Sequence, residues 1–334
     1  MNVQHLFENF RNKKILVIGD VMLDRYMIGN VQRISPEAPV PVVELTREED
    51  RLGGAANVAL NIISLGAKVV LASVVGNDEY GKRIIDLCFQ NKIESKTILQ
   101  LNSRPTTVKT RILGNKQQLL RVDYETKEYL DEKEENLFLN HILSSITNEF
   151  DAVIFEDYNK GLLTEKIIQE LIAACQKNNI ATTVDPKLKN FFAYKGVTLF
   201  KPNLKELREG TGKSINFPTE KSSFESALNL LNEQLNNTYT FVTLSENGVA
   251  ITDHNSIEYI DAHIRNISDV SGAGDTVIAV ATLCLCSGCS MKEIAQISNL
   301  AGGLVCEKTG VVSIEANELI EEVEKLFNLN LVKE

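Results

Sequence analysis

Asp269-Val-Ser-Gly-Ala-Gly-Asp-Thr276 decides how the rest of this chain is read. Gly272, Ala273 and Gly274 describe a tight turn, and the apolar run 277–285 behind them describes the helix that the turn feeds. The first amides of a helix have no intrahelical partner, and the aligned peptide dipoles add about half a positive charge there, so such a turn attracts phosphate-like anions. Lacking Cβ atoms, Gly272 and Gly274 let the backbone approach a phosphoryl group. Asp275, in the first turn, is placed to accept a proton from an alcohol while the amides stabilise the moving group. The same residues also describe a plain helix cap, in which Asp275 only satisfies free amides.

Working outward, other polar residues gather where strands end. Lys14 to Gly19 reads as a buried parallel strand, with Asp20 and Asp24 just past its end. Later strands end on Glu156 and Asp157, on Asp185 before Pro186-Lys187, and on Lys201-Pro-Asn-Leu-Lys-Glu206. Ligands of open α/β sheets bind beyond the carboxyl ends of the strands, so this recurrence favours a metal-nucleotide site over helix caps alone. Strands at 152–156, 181–185, 197–201, 239–244 and 248–252 alternate with helices at 165–177 and 224–235. That rhythm predicts an α/β fold with a mostly parallel sheet covered by helices on both faces.

Between the first strand and this region lies an extended segment, 26–45, containing Arg33-Ile-Ser-Pro-Glu-Ala-Pro-Val-Pro-Val-Val43. Its three prolines within six residues exclude a helix and a central strand, leaving a protruding β flap. Arg51-Leu-Gly-Gly-Ala-Ala-Asn57 then leads into a helix that stops at Gly66; Gly53 and Gly54 suit either close ligand approach or tight packing, and Asn57 can aim its amide at a ligand. Segments 106–113 and 117–122 alternate around Gly114-Asn115, a hairpin expected to pair with the flap. No linker or repeat interrupts the chain, which predicts one domain over 1–334 with a small β lid at about 21–50 and 104–124.

Several classes drop out. A nicotinamide fingerprint would need Gly-x-Gly-x-x-Gly where Gly19-Asp-Val-Met-Leu-Asp24 stands. Gly210-Thr-Gly-Lys-Ser214 imitates a P-loop, but Leu207 occupies the required glycine position, so it reads as a loop ending a helix. A formal net charge of −10 with no basic stripe argues against nucleic acid and membrane surfaces as partners. A polar N-terminus and no apolar run long enough for a bilayer predict a cytoplasmic protein. The four histidines are far apart. If the helix continues, Cys286 and Cys289 share a face while Cys284 points elsewhere, so buried free thiols are expected instead of a metal site.

Together these residues resemble the ribokinase-like (PfkB) family of sugar kinases along nearly the whole chain. Gly53-Gly-Ala-Ala-Asn57 is similar to the family's first signature, although one residue shorter than in many members. Asp269-Val-Ser-Gly-Ala-Gly-Asp275 is similar to the second, with Val270 where Thr is more usual, and Asn203-Leu-Lys-Glu206 matches the Asn-x-x-Glu motif. The flap sequence, Arg121-Val-Asp-Tyr-Glu125, Asp157-Tyr-Asn-Lys-Gly161 and Asp185-Pro-Lys187 resemble the family branch that phosphorylates D-glycero-D-manno-heptose 7-phosphate at its anomeric oxygen for ADP-heptose and lipopolysaccharide core synthesis.

The resemblance implies ATP, Mg2+ and a monovalent cation as cofactors. It implies Asp275 as base, with the amides of Ser271 to Gly274 as anion hole, and Asn203 with Glu206 organising Mg-bound phosphates through water. Ser245, Gly248 and Asp269 are expected beside the nucleotide; Ser245 stands where a glycine is common. Asp24, Gly53, Gly54, Asn57 and Asp157 are expected at the sugar, and Lys109, Arg111 and Lys187, with Arg33 and Lys160, are candidates for its phosphate. With Glu334 ending the sequence and no His-x-Gly-His motif, a kinase-only form with a separate adenylyltransferase is expected, as is a homodimer pairing through the free lid edges. Rival expectations are another acceptor, such as fructose phosphate or ribose, or a regulator that binds without turnover.

Overall fold

The computed structural model describes residues 2–146, 149–263 and 265–331. The apolar run Lys14–Gly19 is strand β1, and Asp20 alone separates it from β2 (Val21–Ile34), which pairs with β3 (Pro41–Gly54) in a long hairpin. The chain returns through β4 (Lys68–Gly76) and β5 (Ile98–Leu101), then leaves again as the hairpin of β6 (Val108–Gly114) and β7 (Gln117–Tyr124). It afterwards adds β8 (Ala152–Glu156), β9 (Ala181–Asp185), β10 (Leu199–Phe200), β11 (Tyr239–Thr243), β12 (Val249–Thr252) and β13 (Ile257–Ile260).

The main sheet runs β13-β12-β11-β10-β9-β8-β1-β4-β5, antiparallel only at the β11–β12 and β12–β13 pairs. Its faces are set by the period of two along β1: Ile15 and Val17 enter one core with the helices Ala55–Ser64, Ala273–Cys286 and Met291–Cys306. Leu16 and Ile18 enter the other core, with Phe138 and the helices Glu165–Lys177 and Lys221–Leu235. Later strands extend the sheet on one side of β1 through β8, and β4 and β5 extend it on the other. The order therefore reverses at the β1–β8 pair, the switch point at which such sheets open a crevice beyond their carboxyl ends.

The second sheet is ordered β3-β2-β6-β7, and β6 runs parallel to β2 from Leu23↔Val108 to Gly29↔Gly114, so the expected pairing of hairpin with flap is present. Its outer strand β7 is exposed throughout, with Leu120, Val122 and Tyr124 on one face. Gly212 ends the helix Leu204–Thr211 in the left-handed conformation, as expected of the P-loop imitation.

Three details differ from the sequence reading. The strand expected over 197–201 shrinks to Leu199–Phe200. Helices at Val3–Arg11, Glu132–Leu143, Met291–Cys306 and Ala316–Leu331 were not anticipated, although Asp131 with Glu134 and Ser290 with Glu293 form capping boxes that signal two of the starts. The helix Ala273–Cys286 stops before Cys289, so the helical face assigned to Cys286 and Cys289 does not exist and the chain turns back toward Cys284. No helix among the described residues is long and apolar enough to cross a membrane.

Candidate active site

Asp275 occupies the first turn of the helix Ala273–Cys286 and is buried. Its Oδ2 accepts from Asn57 Nδ2 at 2.7 Å and its Oδ1 from the Tyr158 hydroxyl at 2.8 Å. Burial foremost pushes this carboxyl up to about 6, while the donors Asn57 and Tyr158 pull the other way. The turn in front of it needs its glycine: Gly272 has φ 82°, and a Cβ there would lie 2.9 Å from Asn57 Nδ2. Asn57 starts the opposing helix Ala55–Ser64, and the two helices are tied again where Thr276 Oγ1 donates to Asn61 Oδ1 at 3.0 Å.

The strand-end acids and lysines converge on the same point. Oxygens of Glu156, Asp185 and Asp275 lie within 4.8 Å of one another. Lys201 reaches Asp185 Oδ2 at 2.7 Å, and Lys187 reaches Asp185 Oδ1 at 3.4 Å and Glu206 Oε1 at 2.5 Å. Burial alone would lower the Lys187 ammonium, but Asp185 and Glu206 raise it above its ordinary value. Glu156 is the exception, since it is fully buried and neither carboxylate oxygen has a partner among the described residues. Burial, then the charges of Asp185 and Asp275, raise its pKa well above the usual carboxylate range. An unpartnered buried carboxylate beside two others fits a cation.

Two joined cavities open over this cluster. One, of about 430 Å³, is bounded by Tyr158, Lys187, Lys201, Asn203, Gly272 and Asp275. The other, of about 380 Å³, has apolar walls at Val249, Val277 and Gly302. Ser245 and Gly274 border both, and Gly248 and Ala273 border the second. Ser245 holds φ 55°, which explains why a glycine suits that position. At Gly248, a Cβ would sit 2.0 Å from the Ile260 carbonyl oxygen.

Other expected residues are occupied by the fold itself. Asn203 and Glu206 cap the helix Leu204–Thr211 reciprocally, at 2.8 Å in each direction, so the Glu206 oxygens are engaged by the Asn203 N–H and by Lys187. Asp269 accepts from the amides of Ser271 and Gly310 and so pins two turns together. Asp157 accepts from the Tyr194 hydroxyl at 2.8 Å and from the Asn159 amide at 2.8 Å, and borders neither cavity. A Cβ on Gly53 would meet Asp24 Oδ2 at 2.2 Å and one on Gly54 the Asp20 carbonyl at 2.3 Å, so these glycines make room for the chain's own groups.

The phosphate candidates also separate. Arg111 is paired with Asp24, Lys160 with Glu125, and Arg33 is exposed near the end of the flap hairpin. Lys109 has no carboxylate paired with it among the described residues, and its ammonium lies 5.7 Å from the centre of the Tyr158 ring. Burial foremost, then the charge of Lys160, lower its pKa. Glu156 and Lys201 entered the sequence reading only among the polar strand ends favouring a metal-nucleotide site, and Tyr158 only inside Asp157–Gly161; none was given an individual role, and their signal was position, each at or beside the end of a central strand.

The fold is similar to that of phosphofructokinase-2 from Escherichia coli in complex with potassium, with a TM-score of 0.77 at 19% identity over 92% of this chain and 97% of that one. The architecture is thus that of the ribokinase-like α/β proteins. Residues 12–317 match the pfkB family of carbohydrate kinases, and the chain belongs to that family. It is 40% identical over 322 residues to the D-beta-D-heptose 7-phosphate kinase of Bordetella bronchiseptica, covering 96% of this chain and 99% of the relative. It is also 40% identical over 311 residues to the bifunctional protein HldE of Sulfurimonas denitrificans; the match covers 93% of this chain but 64% of that longer protein.

Proposed function

We propose that this protein transfers the γ-phosphoryl group of ATP to the anomeric hydroxyl of D-glycero-β-D-manno-heptose 7-phosphate, giving the 1,7-bisphosphate used for ADP-heptose. The observation that carries the chemistry is Asp275, a buried carboxylate at a glycine-flanked helix N-terminus on the wall of a polar cavity. The choice of acceptor rests on likeness to the Bordetella bronchiseptica kinase.

In this reading Asp275 takes the proton from the sugar hydroxyl, held for that purpose by Asn57, while the amides of Gly272 and Gly274 receive the charge of the phosphoryl group; of the expected set, the Ser271 amide donates to Asp269 and the Ala273 amide to the Val270 carbonyl. Asp24, Asn57 and the backbone at Gly53 and Gly54 face sugar hydroxyls, and Lys109 holds the distal phosphate. Nucleotide lies along Asn203, Ser245 and Gly248. Magnesium, carried by the phosphates, supplies charge neutralisation. Glu206, its oxygens engaged by Asn203 and Lys187, would reach it only through water, and Glu156 beside Asp185 would be the further carboxylate suited to it. A monovalent cation is included because the fold neighbour binds potassium.

The protein acts in the cytoplasm as a single domain, with the second sheet as its lid. Two lids pair in a homodimer that covers Leu120, Val122 and Tyr124 of β7, and an adenylyltransferase takes the product onward.

A kinase assay with ATP and magnesium across heptose 7-phosphate, free heptose, fructose 6-phosphate and ribose tests the reading. Heptose 7-phosphate is expected to give the highest kcat/KM; a preference for another sugar, or binding with no product, would overturn it. Because the base must be ionised, kcat/KM is also expected to rise with pH through about 6, where burial holds Asp275. A pH–rate profile flat across that range would remove Asp275 from the role.

A further inference from the structure

Cys284 and Cys289 form a pair that the phosphoryl-transfer site does not use. Beyond the helix Ala273–Cys286, Gly288 adopts φ 76° and the Cys289 N–H donates to the Cys284 carbonyl at 3.1 Å. A bond of that span folds the chain back across the helix end, so that the residues at its two ends meet, ordinarily as apolar side chains. In this chain both are cysteines. Cys284 is fully buried, whereas Cys289 is partly accessible. Cys286 takes no part, since its thiol faces the Asp151 carbonyl at 3.7 Å.

The two sulfurs are chemically unequal. The Cys284 side chain beside it lowers the Cys289 thiol pKa against burial and the nearby Glu293. Burial foremost, then the neighbouring Cys289, raises Cys284. The more acidic sulfur is therefore also the accessible one, the combination that directs oxidation to a particular thiol.

We propose that Cys284 and Cys289 are a reversible disulfide site oxidised by hydroperoxides, with Cys289 as the attacking thiolate and Cys284 as the resolving thiol. The Cys289 thiolate attacks one peroxide oxygen; the O–O bond breaks, a sulfenic acid forms on Cys289, and hydroxide leaves when the peroxide is hydrogen peroxide. The Cys284 sulfur then attacks that sulfenic sulfur, the S–O bond breaks, and the departing hydroxyl leaves as water with the Cys284 proton. Two electrons pass from the pair to one peroxide, and a dithiol reductant returns them. Cys284 lies nine residues beyond Asp275, roughly 14 Å along the helix, so the bond forms without entering the phosphoryl-transfer cavity.

The test treats the full chain with hydrogen peroxide, blocks free thiols with iodoacetamide and maps peptides by mass spectrometry without reduction. The expected result is a segment 284–289 that has lost two hydrogens and takes up no label on either cysteine until dithiothreitol restores both sites. In Cys284→Ala, Cys289 is expected to stop at the sulfenic acid and be trapped by dimedone; in Cys289→Ala, Cys284 is expected to stay reduced. The proposal is overturned if the wild-type pair stays reduced, if Cys289 passes to sulfinic acid with Cys284 beside it, or if Cys286 is the linked residue.

Discussion

Asp275→Asn is expected to lower kcat by about 10²- to 10⁴-fold, the range for losing a positioned general base. The change removes a charge and keeps the shape. An amide oxygen can still accept from Asn57 Nδ2, which sits 2.7 Å from the Asp275 carboxylate, and the amide nitrogen can turn to the Tyr158 oxygen. Sugar affinity by calorimetry should therefore stay near the wild-type value while steady-state turnover collapses. Near-normal kcat in a folded Asp275→Asn protein would leave the carboxylate as a tie between Asn57 and Tyr158 and nothing more.

The second large effect is expected at Lys109. A hydrogen bond to a charged group contributes about 1.5–3 kcal/mol, so Lys109→Met should raise KM for heptose 7-phosphate by roughly 10- to 150-fold. Free heptose, with no distal phosphate, should respond little. The prediction is specific to Lys109 because the other basic side chains nearby already have partners, Arg111 in Asp24 and Lys160 in Glu125. Equal losses for both sugars would show that Lys109 supports the lid sheet and does not read the phosphate.

The parts of the fold legible in the sequence were those with a local physical cause. The glycine turn at 272–274, the apolar run of β1 and the polar strand ends each follow from conformational freedom, burial and sheet topology over a few neighbouring residues. Less legible were contacts between residues distant in sequence. Asn203-x-x-Glu206 reads equally as a phosphate motif and as a capping box, and only the fold reveals that the cap is formed and that Lys187 takes the remaining Glu206 oxygen. Tyr158 follows Asp157 in sequence, yet Tyr158 touches Asp275 whereas Asp157 turns away to Tyr194. At Cys289, assuming a helix that continued past 286 placed the thiol on the wrong side.

The single-residue joint at Asp20 has a mechanical consequence. β1 belongs to the main sheet and β2 to the flap, so the joint between them is the single residue Asp20. The Asp20 carboxylate also receives the amides of Tyr158 at 2.9 Å and Lys160 at 3.0 Å. The fulcrum of the flap is thus bolted to the loop that carries the hydroxyl touching Asp275, and any swing of the flap levers that hydroxyl with it.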